Sequence, residues 1–148
     1  MKIDQKDSKI IEILKSNAKL TTGQISKKLL IPITTVHNRI KKLEKAGVIE
    51  GYTIKLNYKK LGFEILAFIQ VNVIYTLPSG KKIKQEEVAK KIKKLDGVEE
   101  VWIVAGGTDL LVKARVKSID KLNDLVINKL RMVEGVDKTQ TLVVLKEV

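Results

Sequence analysis

Cysteine is absent from this chain of 148 residues, which excludes disulfides, thiolate metal sites and a cysteine nucleophile and leaves the redox compartment unreadable. Histidine is nearly absent: His37 stands alone, so neither a histidine-based metal site nor a His–carboxylate–nucleophile set can be assembled. The carboxylate pairs Glu86/Glu87 and Glu99/Glu100 are neighbours in sequence and read as solvated surface. No catalytic residue, metal or cofactor is therefore assigned, and enzymatic function is set aside. No apolar run approaches the roughly 18 residues needed to cross a bilayer. The opening MKIDQKDSK lacks the apolar segment of a secretory signal. No membrane partner is expected, and the cytoplasm is the expected location.

Lysine, by contrast, is abundant, and its distribution carries information. The chain has a net charge of +12. Residues 1–60 hold thirteen lysines and one arginine against five acids, a net of +9, while residues 61–148 contribute only +3. A clustered excess suits a polyanionic partner better than a need for solubility alone. With 44% hydrophobic and 31% charged residues the composition is that of a globular protein, large enough for two small domains.

The basic first part patterns as three helices. Asp4 can cap a helix running to Ser16, with Asp7 in its first turn and an apolar stripe of Ile10, Ile11, Ile13 and Leu14. Thr21 followed by Gln24 fits a capping box for a short second helix, with Ile25, Leu29 and Leu30 read as its buried side. Ile31-Pro32 interrupts the pattern, and Pro32 suits the start of a third helix that runs to about Ala46 and ends at Gly47. In that third helix Val36, Ile40 and Leu43 recur at one face. The opposite face then presents Thr34, Asn38, Lys41 and Lys45, flanked by Thr35, His37, Arg39 and Lys42. Such a mixture can hydrogen-bond base edges and neutralise phosphates together, as the second helix of a helix-turn-helix does in double-stranded DNA. Base contacts are expected from Thr34, Thr35, His37 and Asn38, in the N-terminal half. Thr21 and Thr22, with the free N–H groups of the second helix, are candidates to hold a phosphate.

The rest of the chain changes period. Residues 48–56 are expected to form a short strand and Asn57–Gly62 a polar linker, giving domains at 1–50 and 63–148 with the strand and linker at 51–62. LDGVEEVWIV and VEGVDKTQTL, 38 residues apart, each place Gly-Val between a helix and a strand. Two such units in tandem give βαββαβ, a ferredoxin-like domain, so the fold class is α+β with an N-terminal, winged-helix-like, all-α helix-turn-helix. Helices cover one face of that sheet. Leu66, Phe68, Leu142 and Val144 remain on the other and need cover. The economical cover is a second copy of the same sheet, so a homodimer through this domain is expected, the alternative being cover by the N-terminal domain. Gly106-Gly107-Thr108-Asp109 reads either as a plain hairpin or as a site whose glycine N–H groups and Asp109 hold a small zwitterion such as an amino acid.

Taken in order, IDQKDSKIIEIL, TVHNRIKKLEKAGVIEGY, VAGGTD and GVDKTQTLVVL resemble the Lrp/AsnC transcription regulators along essentially the whole chain. The resemblance implies a promoter-binding regulator that dimerises, often builds octamers and often answers to amino acids. It places Thr34, Thr35, His37, Asn38, Arg39, Lys41 and Lys42 on the DNA-facing helix. Gly106, Gly107, Thr108 and Asp109 fall on the effector loop, and Thr139 and Thr141 on strand positions lining the same cleft. Leu30 stands where the family has a turn glycine, Pro32 where it has a capping serine, and Thr108 where an aromatic is common. The loop 76–85 is longer than the family pattern and basic. The rival expectation is a stand-alone small-molecule sensor or protein-interaction adaptor without DNA binding.

Overall fold

The computed structural model describes residues 2–147. The chain divides into two compact units, Met1–Leu56 and Asn57–Val148.

The first unit consists of α1 (Gln5–Ser16), α2 (Thr22–Leu29) and α3 (Ile33–Lys45). Asp4 caps α1 and forms a reciprocal box with Asp7, and Thr21 does the same for α2 with Gln24. Ile10, Ile25, Val36 and Leu43 are fully buried at the centre, ringed by Ile11, Ile13, Leu14, Leu20, Leu29, Ile31, Ile40 and Ile49. Burying a Leu or Ile side chain contributes about 2 kcal/mol, so these few residues decide which side of each helix is wet.

Two expectations fail in this unit. Leu30 is not part of the buried side; it is 90% exposed and takes the left-handed conformation at φ 54° itself. Its N–H and that of Ile31 both return to the Ser26 carbonyl, and Ser26 Oγ donates to the Ile31 carbonyl. The turn thus has the positive φ usually supplied by glycine, held by hydrogen bonds around a strained leucine. Residues 48–56 form no strand. Their alternating pattern suits one, but no other segment of the described chain lies alongside to complete a ladder, and a strand without a neighbour has no hydrogen bonds to define it. Among the described residues the unit is therefore three helices without a wing hairpin.

The second unit contains β1 (Ile65–Val73), α4 (Gln85–Lys93), β2 (Val98–Ile103), β3 (Leu110–Val116), α5 (Ile119–Asn123, continued by a π-helical turn at Asp124–Lys129 and a 3-10 turn to Met132) and β4 (Val136–Val143). The strands pair antiparallel in the order β2-β3-β1-β4, which is the ferredoxin-like βαββαβ arrangement. Ala67, Ile69, Val71, Val112 and Ala114 meet Val88, Ile92, Leu122, Leu125 and Leu130 in the core. The repeated glycines have matching jobs. Gly97 (φ 90°) and Gly135 (φ 99°) each end a helical connection, and a Cβ on them would lie 2.9 Å from Val116 Cγ1 and 2.7 Å from Ile83 Cγ2 respectively. Both a backbone sign and a close approach require glycine there.

On the face away from the helices, register aligns Glu100, Lys113, Phe68 and Leu142 in one row and Trp102, Leu111, Gln70 and Gln140 in the next. Trp102 and Leu142 are 40% and 46% exposed. Replacing Leu30 with glycine should raise the stability of the full protein by about 1 kcal/mol, since the exposed side chain gives up no packing. Urea midpoints of the two forms check this; an unchanged or lower midpoint for Leu30→Gly contradicts strain at that position.

Candidate nucleic-acid interface and effector loop

Burial of Val36 and Leu43 turns a line of Thr34, Asn38, Lys41 and Lys45 to the outside of α3, and all four are exposed. Lys42 and half-buried Thr35 flank this line on one side, and exposed His37 on the other. A depression of about 350 Å³ beside the line is lined by Thr35, Asn38, Arg39 and Lys42 with Lys2, Asp4 and Asp7. Three hydroxyl or amide side chains and three lysines on one helix face offer donors to base edges and charge to phosphates in the same span.

Arg39 stands apart from this group. Its Nη1 lies 2.7 Å from Asp4 Oδ2 and 2.7 Å from Asp7 Oδ1. Asp7 is 3% exposed, so this pair locks the middle of α3 to the first turn of α1. The need for a partner was legible, though not its identity: Asp7 sits three residues before Ile10 and seven before Leu14, on the apolar stripe, and a carboxylate there requires a cation. Asp4 is held below the usual carboxyl range, first by the Asp7 N–H that it caps and then by Arg39.

At the start of α2 the Thr21 hydroxyl accepts from the Gln24 N–H at 3.2 Å, so its oxygen serves the cap. Thr22 and Gly23 occupy the first turn, where backbone N–H groups have no intrahelical acceptor and face outward for an anion. Near the C-terminal end of α3, the Tyr52 hydroxyl donates to Glu44 Oε1 at 2.8 Å and pins the exit segment. Burial, then Glu44, pushes the Tyr52 phenol up.

The loop 106–109 is fastened to the end of β1. Asn72 Nδ2 donates to the Gly107 carbonyl, while the Thr108 hydroxyl and the Asp109 N–H both donate to the Val71 carbonyl. Asp109 is not an open anchor. Oδ2 accepts from the Val73 N–H at 2.8 Å, and Oδ1 accepts from the Tyr75 hydroxyl at 2.6 Å and from Gln85 Nε2 at 2.8 Å. Tyr75 and then Val73 hold its carboxyl below the usual range, and the same contact raises the Tyr75 phenol. Sequence reading missed Tyr75 and Gln85, which bracket the basic loop. That loop folds back through a Thr76–Lys82 bridge and buries Ile83, and so carries Gln85 to Asp109.

Thr139 pairs in register with Val71, whose carbonyl receives Thr108, and its hydroxyl accepts from Arg131 Nε at 2.9 Å. Thr139 and the loop therefore share one end of the sheet. Thr141, opposite Ile69, lies a step further along β4. Gly106 and Gly107 have open space where a side chain would stand.

A three-helix unit with a polar, basic outer helix, followed by a ferredoxin-like domain with a glycine loop, defines a helix-turn-helix DNA-binding regulator with an attached regulatory domain. Comparison narrows the class. Residues 66–148 match the family profile for the Lrp/AsnC ligand binding domain, and residues 3–50 match winged helix-turn-helix DNA-binding. An uncharacterised HTH-type transcriptional regulator of Pyrococcus horikoshii is 46% identical over 95% of this chain and 91% of its own. The HTH-type transcriptional regulator LrpA of the same organism is 35% identical over 98% of each. Escherichia coli AsnC superposes with a TM-score of 0.86 at 28% identity, over 99% of this chain and 95% of its own. A Neisseria meningitidis transcriptional regulator solved as an L-Met complex superposes at 0.90 and 26% identity, over 99% and 92%. The chain belongs to the Lrp/AsnC family of DNA-binding transcription regulators.

Removing the Arg39 charge should cost about 2 kcal/mol near neutral pH, between exposed-pair and buried-pair values, because Asp7 is left without its cation. A depressed carboxyl contributes stability above its unfolded pKa and loses it as pH falls through the folded value. Arg39 helps to depress Asp4, so Arg39→Gln should also flatten the decline in stability below about pH 4. Denaturation of the wild type and variant across pH 2–7 measures both; parallel curves contradict the assignment.

Proposed function

We propose that this regulator reads a pseudo-palindromic promoter site with two copies of α3 brought together in a homodimer. The observation that carries this reading is the outward line of Thr34, Asn38, Lys41 and Lys45 on a helix whose other side is fixed in a core. Base contacts fall to Thr34, Thr35, His37 and Asn38. Lys41 and Lys42 neutralise phosphates, and the N–H groups beside Thr21 and Thr22 take a further one. Arg39, also placed on this helix, acts as the brace that sets its position. The two helices require half-sites roughly 34 Å apart along one face of the duplex.

Dimerisation is assigned to the open face of the second unit, where Phe68, Leu142, Trp102 and Leu111 present apolar surface in adjacent rows. Four such dimers closing a ring give the octamer common among members of the family. An amino acid is the proposed effector, at the end of the sheet formed by Gly106, Gly107, Thr108, Asp109 and Thr139, with Thr141 behind. The Neisseria relative's complex with L-Met favours this class of ligand. For an ammonium to reach Asp109 it must displace Gln85 or Tyr75, so effector binding is coupled to the basic loop between β1 and α4. We assign the protein to the cytoplasm, where promoter DNA is read, and regulation by binding gives it no need of catalysis.

Asn38→Ala combined with Lys41→Ala should abolish footprinting of the protein's own upstream region while light scattering still shows the wild-type oligomer. Wild-type binding should weaken steeply with added salt as counterions are released. Loss of a protein contact with DNA binding intact would favour the adaptor instead. Titration calorimetry against a panel of amino acids should give heat with at least one of them and less with Asp109→Ala; silence across the panel leaves the loop a plain turn.

A further inference from the structure

A cavity of about 390 Å³ opens on the second unit where the Asp96-Gly97 turn, the end of β3 and α5 meet. Its apolar wall is made by Phe63, Gly97, Val116 and Leu125. The turn lies directly against this wall: a Cβ on Gly97 would stand 2.9 Å from Val116 Cγ1 and crowd it, and 3.5 Å from Leu125 in ordinary contact. Opposite, α5 widens into its π-helical turn, with the Leu130 N–H reaching back to the Leu125 carbonyl, and delivers Asp124 and Lys129 to the same rim. Such widened turns recur at functional sites.

The rim charges sort themselves. Asp124 is occupied, accepting from Asn128 at 3.0 Å and pairing with Lys129 at 3.2 Å. Arg115 is occupied by Glu99 and Glu147 and lies over the Tyr58 ring. Lys117 and Lys121 have no carboxylate within 4.0 Å among the described residues, and the Lys117 ammonium stands 5.8 Å from the centre of the Phe63 ring. Asp96 is the remaining carboxylate at the mouth. Lys117 and Lys121, neither in a direct ion pair, bring positive charge to a cavity within the size range of small-molecule sites, although Lys121 also acts through space on Asp124.

We propose that this cavity is a second small-molecule site, separate from the loop 106–109, that takes a small organic monoanion with an aromatic or branched apolar body. Lys117 and Lys121 hold the anionic end, and the half-buried Phe63 ring with the exposed edge of Val116 covers the body, over the buried Leu125. A carboxylate fits this charge; a cation of the same shape meets two ammoniums and is excluded. The site would let a carboxylate act on the regulator without competing for the effector loop.

Phenylacetate is the probe, titrated into the full-length protein and followed by amide shifts in NMR, with phenethylamine as the oppositely charged control. Phenylacetate should saturate with a dissociation constant of about a millimolar or tighter and shift residues 96–97 and 116–125, and phenethylamine should leave them unmoved. Lys117→Gln with Lys121→Gln should weaken phenylacetate about tenfold while the denaturation midpoint stays at wild type, since both lysines are exposed. Asp109→Ala should leave the affinity unchanged. Failure to saturate, equal affinity in the double variant, equal binding of phenethylamine, or shifts confined to residues 106–109 would each overturn the proposal.

Discussion

Everything the first unit can do rests on the burial of Val36 and Leu43 against Ile10 and Ile25. That contact fixes the rotation of α3 about its own axis, and a rotation of one residue would carry the Thr34–Asn38–Lys41 line about 100° around the helix. With four fully buried residues at its centre among those described, such a unit has little apolar area to hold one helix still. The Arg39 bridge to Asp4 and Asp7 adds a second, directional constraint at the middle of the same helix. Core and ion pair together present the polar face as a rigid surface, which a reader of base edges needs.

The second unit obeys a different constraint. A four-stranded sheet with both helices on one side has a bare face, and the rows through Phe68 and Trp102 are where its apolar residues collect. At the end of that sheet, hydrogen bonds from Asn72, Val73, Tyr75 and Gln85 tie the loop 106–109 to the strand and loop beside it. A ligand that rearranges Asp109 therefore acts on β1, a central strand, and on the start of α4. Under the proposed function, that geometry would give effector binding a mechanical route into the face proposed for dimerisation.

Local features were legible because local chemistry sets them. The cap at Asp4 and the capping box at Thr21 were readable from a few neighbouring residues, and each formed as expected, Asp4 adding a reciprocal bond with Asp7. The internal repeat gave the sheet topology, since two copies of a helix-to-strand connection fix the order of elements. The errors have one source. Leu30 looked buried because it continues an apolar pattern, yet the turn required a positive φ there and sent the side chain to solvent. Residues 48–56 alternate like a strand, but alternation describes only one side of a pairing.

Sequence by itself determined the periodicities, the caps, the charge concentrated in residues 1–60 and the family to which those features belong. Tertiary structure alone decided which charged groups are occupied. Arg39 and Asp109 both look free in the sequence, and both are engaged by partners 24 to 36 residues away. Lys117 and Lys121 look ordinary in a lysine-rich chain, and only the fold brings them to one cavity mouth, outside any direct ion pair among the described residues. Ion pairing depends on distances across the fold, and no local pattern encodes them.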